Sequence, residues 1–146
     1  MRRRQLEHAL LDQLVAQNPF EVPPSFVDQI IDAMIGEMRF NSEEEKKKAL
    51  HDQETRLGFR DTAKRRAQNT MLLGEIGRRE KVEVNDDDLK AYFAKFYTDM
   101  GQTADDARLQ QMVRQMGNQV RESLFLDKTM QIIIAAAKVQ EEAVEA

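Results

Sequence analysis

Asn18-Pro19-Phe20-Glu21-Val22-Pro23-Pro24-Ser25-Phe26-Val27 holds all three prolines of a 146-residue chain and separates two strongly apolar helical patterns. Proline fixes φ, lacks an N–H donor and drives the preceding residue toward extended backbone, so Asn18, Val22 and Pro23 are poor helix residues. The stretch predicts a helix that ends near Gln17, a hard corner, and a second helix beyond it. Ser25 is the expected N-cap of that second helix, with Asp28 standing where the acid of a capping box belongs.

Upstream of the corner, Leu6, Leu10, Leu11, Leu14 and Val15 form one helical stripe. Downstream, two adjacent rows appear: Phe26, Ile30, Met34 and Met38, and Val27, Ile31 and Ile35. A spacing of four drifts slowly around a helix with 3.6 residues per turn, so the rows make a broad apolar band. Ser42 precedes three acids and then three lysines, the charge order of a helix start. From there to Phe59 the only large aliphatics are Leu50 and Leu57, which predicts a polar, poorly packed and mobile helix or tip. Asp61 or Thr62 is expected to open the next helix, carrying Ala63, Ala67, Met71, Leu72, Leu73 and Ile76 and ending near Lys81. Asn85 is the expected cap of a short aromatic helix with Asp86, Asp87 and Asp88 in its first turn and Gly101 closing it. Thr103-Ala104-Asp105-Asp106 starts the last helix, which Gly117 is expected to bend or break. The reading is all-α, with about five to six helices and a frayed end over Gln140 to Ala146.

Composition narrows the function classes. With 33% charged and 41% hydrophobic residues, a chain of this length suits one helical domain with a real core. No apolar run approaches the roughly 20 residues needed to cross a bilayer, and Glu7, His8 and Asp12 interrupt any signal-like segment after Met1-Arg2-Arg3-Arg4. A cytoplasmic protein is expected. Cysteine is absent, which removes disulfides and thiol chemistry. A net charge of −4 argues against general nucleic-acid binding despite the Lys64-Arg65-Arg66 cluster.

No chemistry-bearing constellation emerges. Consecutive helix residues point in different directions, so neither Glu43-Glu44-Glu45 nor Asp86-Asp87-Asp88 converges on a metal. His8 and His51 read as surface imidazoles. Nucleotide-binding and nucleophile motifs are missing from the sequence, so no catalytic residue, metal or cofactor is assigned.

Three blocks carry a family resemblance. Leu10-Leu11-Asp12-Gln13-Leu14-Val15-Ala16-Gln17-Asn18-Pro19-Phe20-Glu21-Val22-Pro23 resembles the start of the C-terminal chaperone domain of bacterial trigger factor. Ala63-Lys64-Arg65-Arg66-Ala67-Gln68-Asn69-Thr70-Met71-Leu72-Leu73-Gly74-Glu75-Ile76, followed by Arg78-Arg79-Glu80-Lys81-Val82-Glu83-Val84, is similar to that family's basic-then-aliphatic helix and the turn after it. Ala135-Ala136-Ala137-Lys138-Val139 is similar to its close. Gly58-Phe59-Arg60 matches the opening of the family's ribosome-docking signature, but Asp61-Thr62-Ala63 follows in place of glycine, lysine and proline, and the match reads as coincidence. A helical resemblance to the periplasmic SurA-type chaperone is weaker, because that type is exported.

The resemblance implies a helical body with arm-like projections that cradle unfolded or nascent polypeptides without ATP. Ribosome contact and any prolyl isomerase activity would lie in domains not seen in this sequence. Seven internal methionines and seven phenylalanines offer adaptable apolar contacts. The candidate substrate-binding residues are Met34, Met38, Phe40, Phe59, Phe93, Phe96, Tyr97, Met100, Met112 and Met116, unless the same spacing only fills a core. The alternative is a helical dimerisation or scaffolding module with one fixed partner, and the first helix leaves room for a homodimer.

Overall fold

In a computed structural model, the structure describes residues 2–145, with side chains described for residues 3–137. Six helices and no strand make up its regular structure among the described residues, so the all-α reading holds. The expected frayed end from Gln140 lies outside the residues whose side chains are described. The helices gather into two compact units, Met1–Leu72 and Leu73–Ala146.

In the first unit, α1 (Arg2–Gln17) stops at the proline corner, where both the backbone and the side-chain nitrogen of Asn18 donate to the Leu14 carbonyl at 3.0 and 2.9 Å. The next helix, α2 (Pro24–Gly36), begins two residues earlier than a Ser25 cap would set it. Ser25 is not its cap. Pro23 holds the cap position with extended backbone, and its carbonyl accepts from the N–H groups of Phe26 and Val27 at 3.0 and 3.3 Å. Pro24 suits the first helical position because its missing N–H would have had no helical partner and its φ is already set.

Ser42 caps α3 (Glu43–His51) by accepting from the Glu45 N–H at 3.2 Å, and the Glu45 carboxylate accepts in return from the Asn41 N–H at 3.0 Å. After one extended residue, Asp52, the chain enters α4 (Gln53–Arg79). The expected start at Asp61 or Thr62 is therefore eight or so residues too late. Asp52 is the cap that was missed: its carboxylate accepts from the Thr55 N–H at 3.0 Å and from the Thr55 hydroxyl, and these bonds hold it below the usual carboxylate range. Nor does this stretch pack poorly. Ala49, Leu50 and Phe59 lie against a core of Ile31, Ile35 and Ala63, joined by Val27, Ile30, Met34 and Phe40.

In the second unit, α4 ends in a turn that places Lys81 at φ 54°, with Lys81 N–H donating to the Arg78 carbonyl and Val82 N–H to the Gly77 carbonyl. Asn85 and Asp88 then form a reciprocal capping box at the start of α5 (Asp86–Asp99), each side chain accepting from the other's N–H, at 2.9 and 3.0 Å. Gly101, at φ 72°, closes α5 through the same paired turn, with Gly101 N–H donating to the Thr98 carbonyl and Gln102 N–H to that of Tyr97.

The last helix, α6 (Asp106–Glu145), is capped by Asp105, which accepts from the Arg108 N–H at 2.8 Å. Gly117 neither bends it to an end nor breaks it. This glycine is buried, and a Cβ there would lie 3.1 Å from the Leu89 side chain, so its small size lets α5 approach α6. Gly77 of α4 does the same for α6, since a Cβ there would collide with Phe125 and sit 2.6 Å from the Thr129 hydroxyl.

Candidate binding surfaces

Two rows one residue apart run along α5. Leu89, Phe93 and Tyr97 are spaced by four and are 0, 3 and 9% exposed, forming the face that packs on α6. Tyr92, Phe96 and Met100 have the same spacing and are 41, 50 and 56% exposed. The outer rings lean edge-on against the inner ones, Tyr92 on Phe93 at 5.3 Å between centroids and Phe96 on Tyr97 at 6.1 Å. An anchored inner row thus presents an outer row of aromatic and methionine side chains to solvent.

Polar contacts fix the position of that row. At the C-terminal end of α5, Tyr97 accepts from Arg108 Nε at 3.0 Å and donates to the Met112 sulfur at 3.7 Å. At the N-terminal end, Lys128 donates to the Glu83 carbonyl at 2.7 Å and to the Asp88 carboxylate at 2.8 Å, while Arg121 reaches the Val84 carbonyl and, at 3.4 Å, Asp86. The Lys128 ammonium, together with the Asn85 N–H, holds the Asp88 carboxyl below its ordinary value. Asp86 and Asp88 are thereby engaged in holding a helix start, and among the described residues no group of three His, Cys, Asp or Glu side chains could hold a metal.

Between α5 and α6 lies a cleft of about 510 Å³. Its apolar lining is Tyr92, Phe96, Ala91 and Leu124, and charged groups of both signs, including Lys95, Asp99 and Lys128, stand around it. A larger cleft of about 950 Å³ belongs to the first unit, where α2, α3 and the start of α4 meet. Leu50 and Leu57 supply its apolar surface, with Lys46, His51, Arg56 and Arg60 beside them. Leu57 is 63% exposed despite its size.

The ten sequence-predicted residues divide sharply. Met38, Phe96, Met100 and Met116 are exposed; Met34, Phe40, Phe59 and Met112 are half-buried, the first three against the core of the first unit. Phe93 and Tyr97 are buried core residues, which removes them from any free surface. Of the ten, only Phe96 lines either of these two clefts. Leu57, Tyr92 and Ile132 are exposed large apolar residues that the prediction did not include. Tyr92 was visible as the residue four before Phe96, and Leu57 as a lone aliphatic in a polar stretch.

Among the described residues, no helix is long and apolar enough to cross a membrane. No solved structure gives a significant match to the chain. Residues 2–135 match the family described as the C-terminus of bacterial trigger factor protein. The chain is 32% identical over 144 residues to the trigger factor of an Anaeromyxobacter species, covering 93% of this chain and 33% of that one. Trigger factor of Azospirillum brasilense is 31% identical over 147 residues, covering 97% and 33%, and that of Rhodobacter capsulatus 33% identical over 145 residues, covering 95% and 32%. This chain thus spans about a third of the length of the curated relatives it matches. A match that runs from the first helix through most of the last, with the same relatives recurring, places the chain in the bacterial trigger factor C-terminal family.

Proposed function

We propose that this chain is an ATP-independent chaperone domain of the bacterial cytoplasm, holding apolar segments of unfolded or nascent polypeptides through several weak patches. The observation that carries this reading is the outer row of α5: Tyr92, Phe96 and Met100 stand in solvent, braced by a buried row that spends its own apolar surface on the core. Met38 and Leu57 in the first unit and Met116 and Ile132 on α6 extend the exposed apolar surface beyond that row. Surfaces of this kind mark interaction sites in soluble proteins.

Magnitudes set the mode of binding. Burying one Phe, Leu or Met side chain contributes about 1.5–3 kcal/mol, whereas association costs roughly 4–15 kcal/mol before any net affinity appears. One patch is therefore too weak, and a micromolar complex at about −8 kcal/mol requires several patches on one client chain. Weak separate patches also dissociate one at a time, so release needs no nucleotide. Methionine and tyrosine side chains accommodate varied partners, which suits clients without a common sequence.

The test is light scattering of a chemically denatured protein diluted into buffer with this chain at a few-fold molar excess. Protection is expected, and a Tyr92→Ser, Phe96→Ser, Met100→Ser variant is expected to lose most of it while its helical circular dichroism persists. Full protection by that variant, or none by the parent chain, would remove the reading.

A further inference from the structure

We propose that the cleft of the first unit selects client segments in which leucine-like side chains alternate with side-chain carboxylates. This rests on the reading that the exposed apolar surfaces hold unfolded chains, and it adds a charge preference to one of them. The cleft forms at the sharp α3–α4 corner, opposite the end of α2. Its apolar part is Leu50, half-buried, and Leu57, largely in solvent. At Gly36, on the α2 side, a Cβ would have no heavy atom within 4 Å, so the wall there stays open.

The charges around this apolar surface are not balanced. Asp32 is the one acid lining the cleft, and its carboxylate is already held by Arg56 at 2.6 Å. Arg56 is fully committed as well: it reaches Asp28 at 3.7 Å and donates to the Leu50 carbonyl at 2.9 Å, so it stitches α2 to the corner. The His51 ring is turned to its own helix, donating from Nδ1 to the Lys47 carbonyl at 2.8 Å. Lys46 and Arg60 remain. Both line the cleft, and neither side-chain charge has a hydrogen-bonding or ion-pair partner among the described residues. Gln53, the first residue of α4, lines it too and adds a neutral polar group, while the Asp52 carboxylate is turned to its own helix start, on Thr55. Two unpartnered cations beside two leucines complement a segment that carries carboxylates next to apolar side chains. A lysine-bearing segment would meet repulsion there.

The experiment uses fluorescein-labelled short peptides that alternate leucine with glutamate, glutamine or lysine, with affinity read by fluorescence anisotropy on the whole chain. Two charge pairs at the surface, one at half-buried Lys46 and one at exposed Arg60, predict that the glutamate peptide binds about two- to tenfold more tightly than the glutamine peptide, with the lysine peptide weakest. The Lys46→Gln, Arg60→Gln variant should erase that order. Arg65→Gln with Arg66→Gln, which removes the same charge from exposed positions outside the cleft, should keep it. Leu57→Ser should weaken the glutamate and glutamine peptides by a similar factor. Equal binding of the three peptides, an order that survives loss of Lys46 and Arg60, or no binding of any peptide overturns the inference. Protection in the scattering assay is read separately, so the charge preference can fail while the chaperone reading stands.

Discussion

Lys81 occupies a backbone conformation that glycine adopts freely and other residues resist. At φ 54° it sits in the closing turn of α4, whereas the equivalent position after α5 is Gly101. A non-glycine residue there costs roughly 1–2 kcal/mol, of which glycine's greater unfolded-state freedom takes back a part. Lys81→Gly is therefore expected to stabilise the protein by about 0.5–1 kcal/mol, seen as a higher urea midpoint with an unchanged slope. Single residues were the best-read level of the sequence where a local rule applied. Ser42, Asn85 and Gly101 act as anticipated because each bonds within a few residues of itself. Asp52 escaped notice because its cap serves a helix whose first turns look polar, and their anchor is Arg56, whose acids lie 24 and 28 residues earlier in the chain, at Asp32 and Asp28.

At the scale of the element, α5 shows what periodicity leaves open. Residues 89, 93 and 97 and residues 92, 96 and 100 share one spacing and similar side chains, so the sequence reveals two rows without saying which one faces inward. Packing decides it, through Gly117 opposite Leu89. Read along the chain, Gly117 looks like a break; across the interface it is the gap that receives α5. The two rows should separate experimentally. Phe93→Ala is expected to cost about 3–5 kcal/mol of stability, while Phe96→Ser should change stability by less than about 1 kcal/mol and weaken client protection. Chemical denaturation beside the scattering assay checks both. The same helix carries an acid-sensitive clasp. Asp88 has its folded pKa lowered, first by Lys128 and then by the Asn85 N–H, so its contribution is present above the unfolded carboxylate value of about 3.9 and is lost as pH falls through the folded value. Asp88→Asn should be less stable than the parent at pH 7, and the difference should shrink as urea titrations are taken below about pH 4.

For the whole molecule, helix content and order were legible because capping signals and apolar stripes repeat along the sequence, and the family match spans the first two of the three blocks that carried the resemblance and ends at Ala135, where the third begins. Exposure was less legible. Whether a methionine is core or surface depends on what lies across from it, which is why Met130 is buried while Met38, Met100 and Met116 are not. The chaperone reading depends on that difference: adaptable side chains left in solvent on both units, too weak singly and sufficient together. The most direct test is a methyl NMR titration of the chain, labelled at its methionine methyls, with a permanently unfolded polypeptide. Met38, Met100 and Met116 should shift or broaden in proportion to bound client while the buried Met130 stays in place. A spectrum that does not respond at saturating client, or in which Met130 responds as strongly as the exposed three, would contradict the claim that these open surfaces hold unfolded chains.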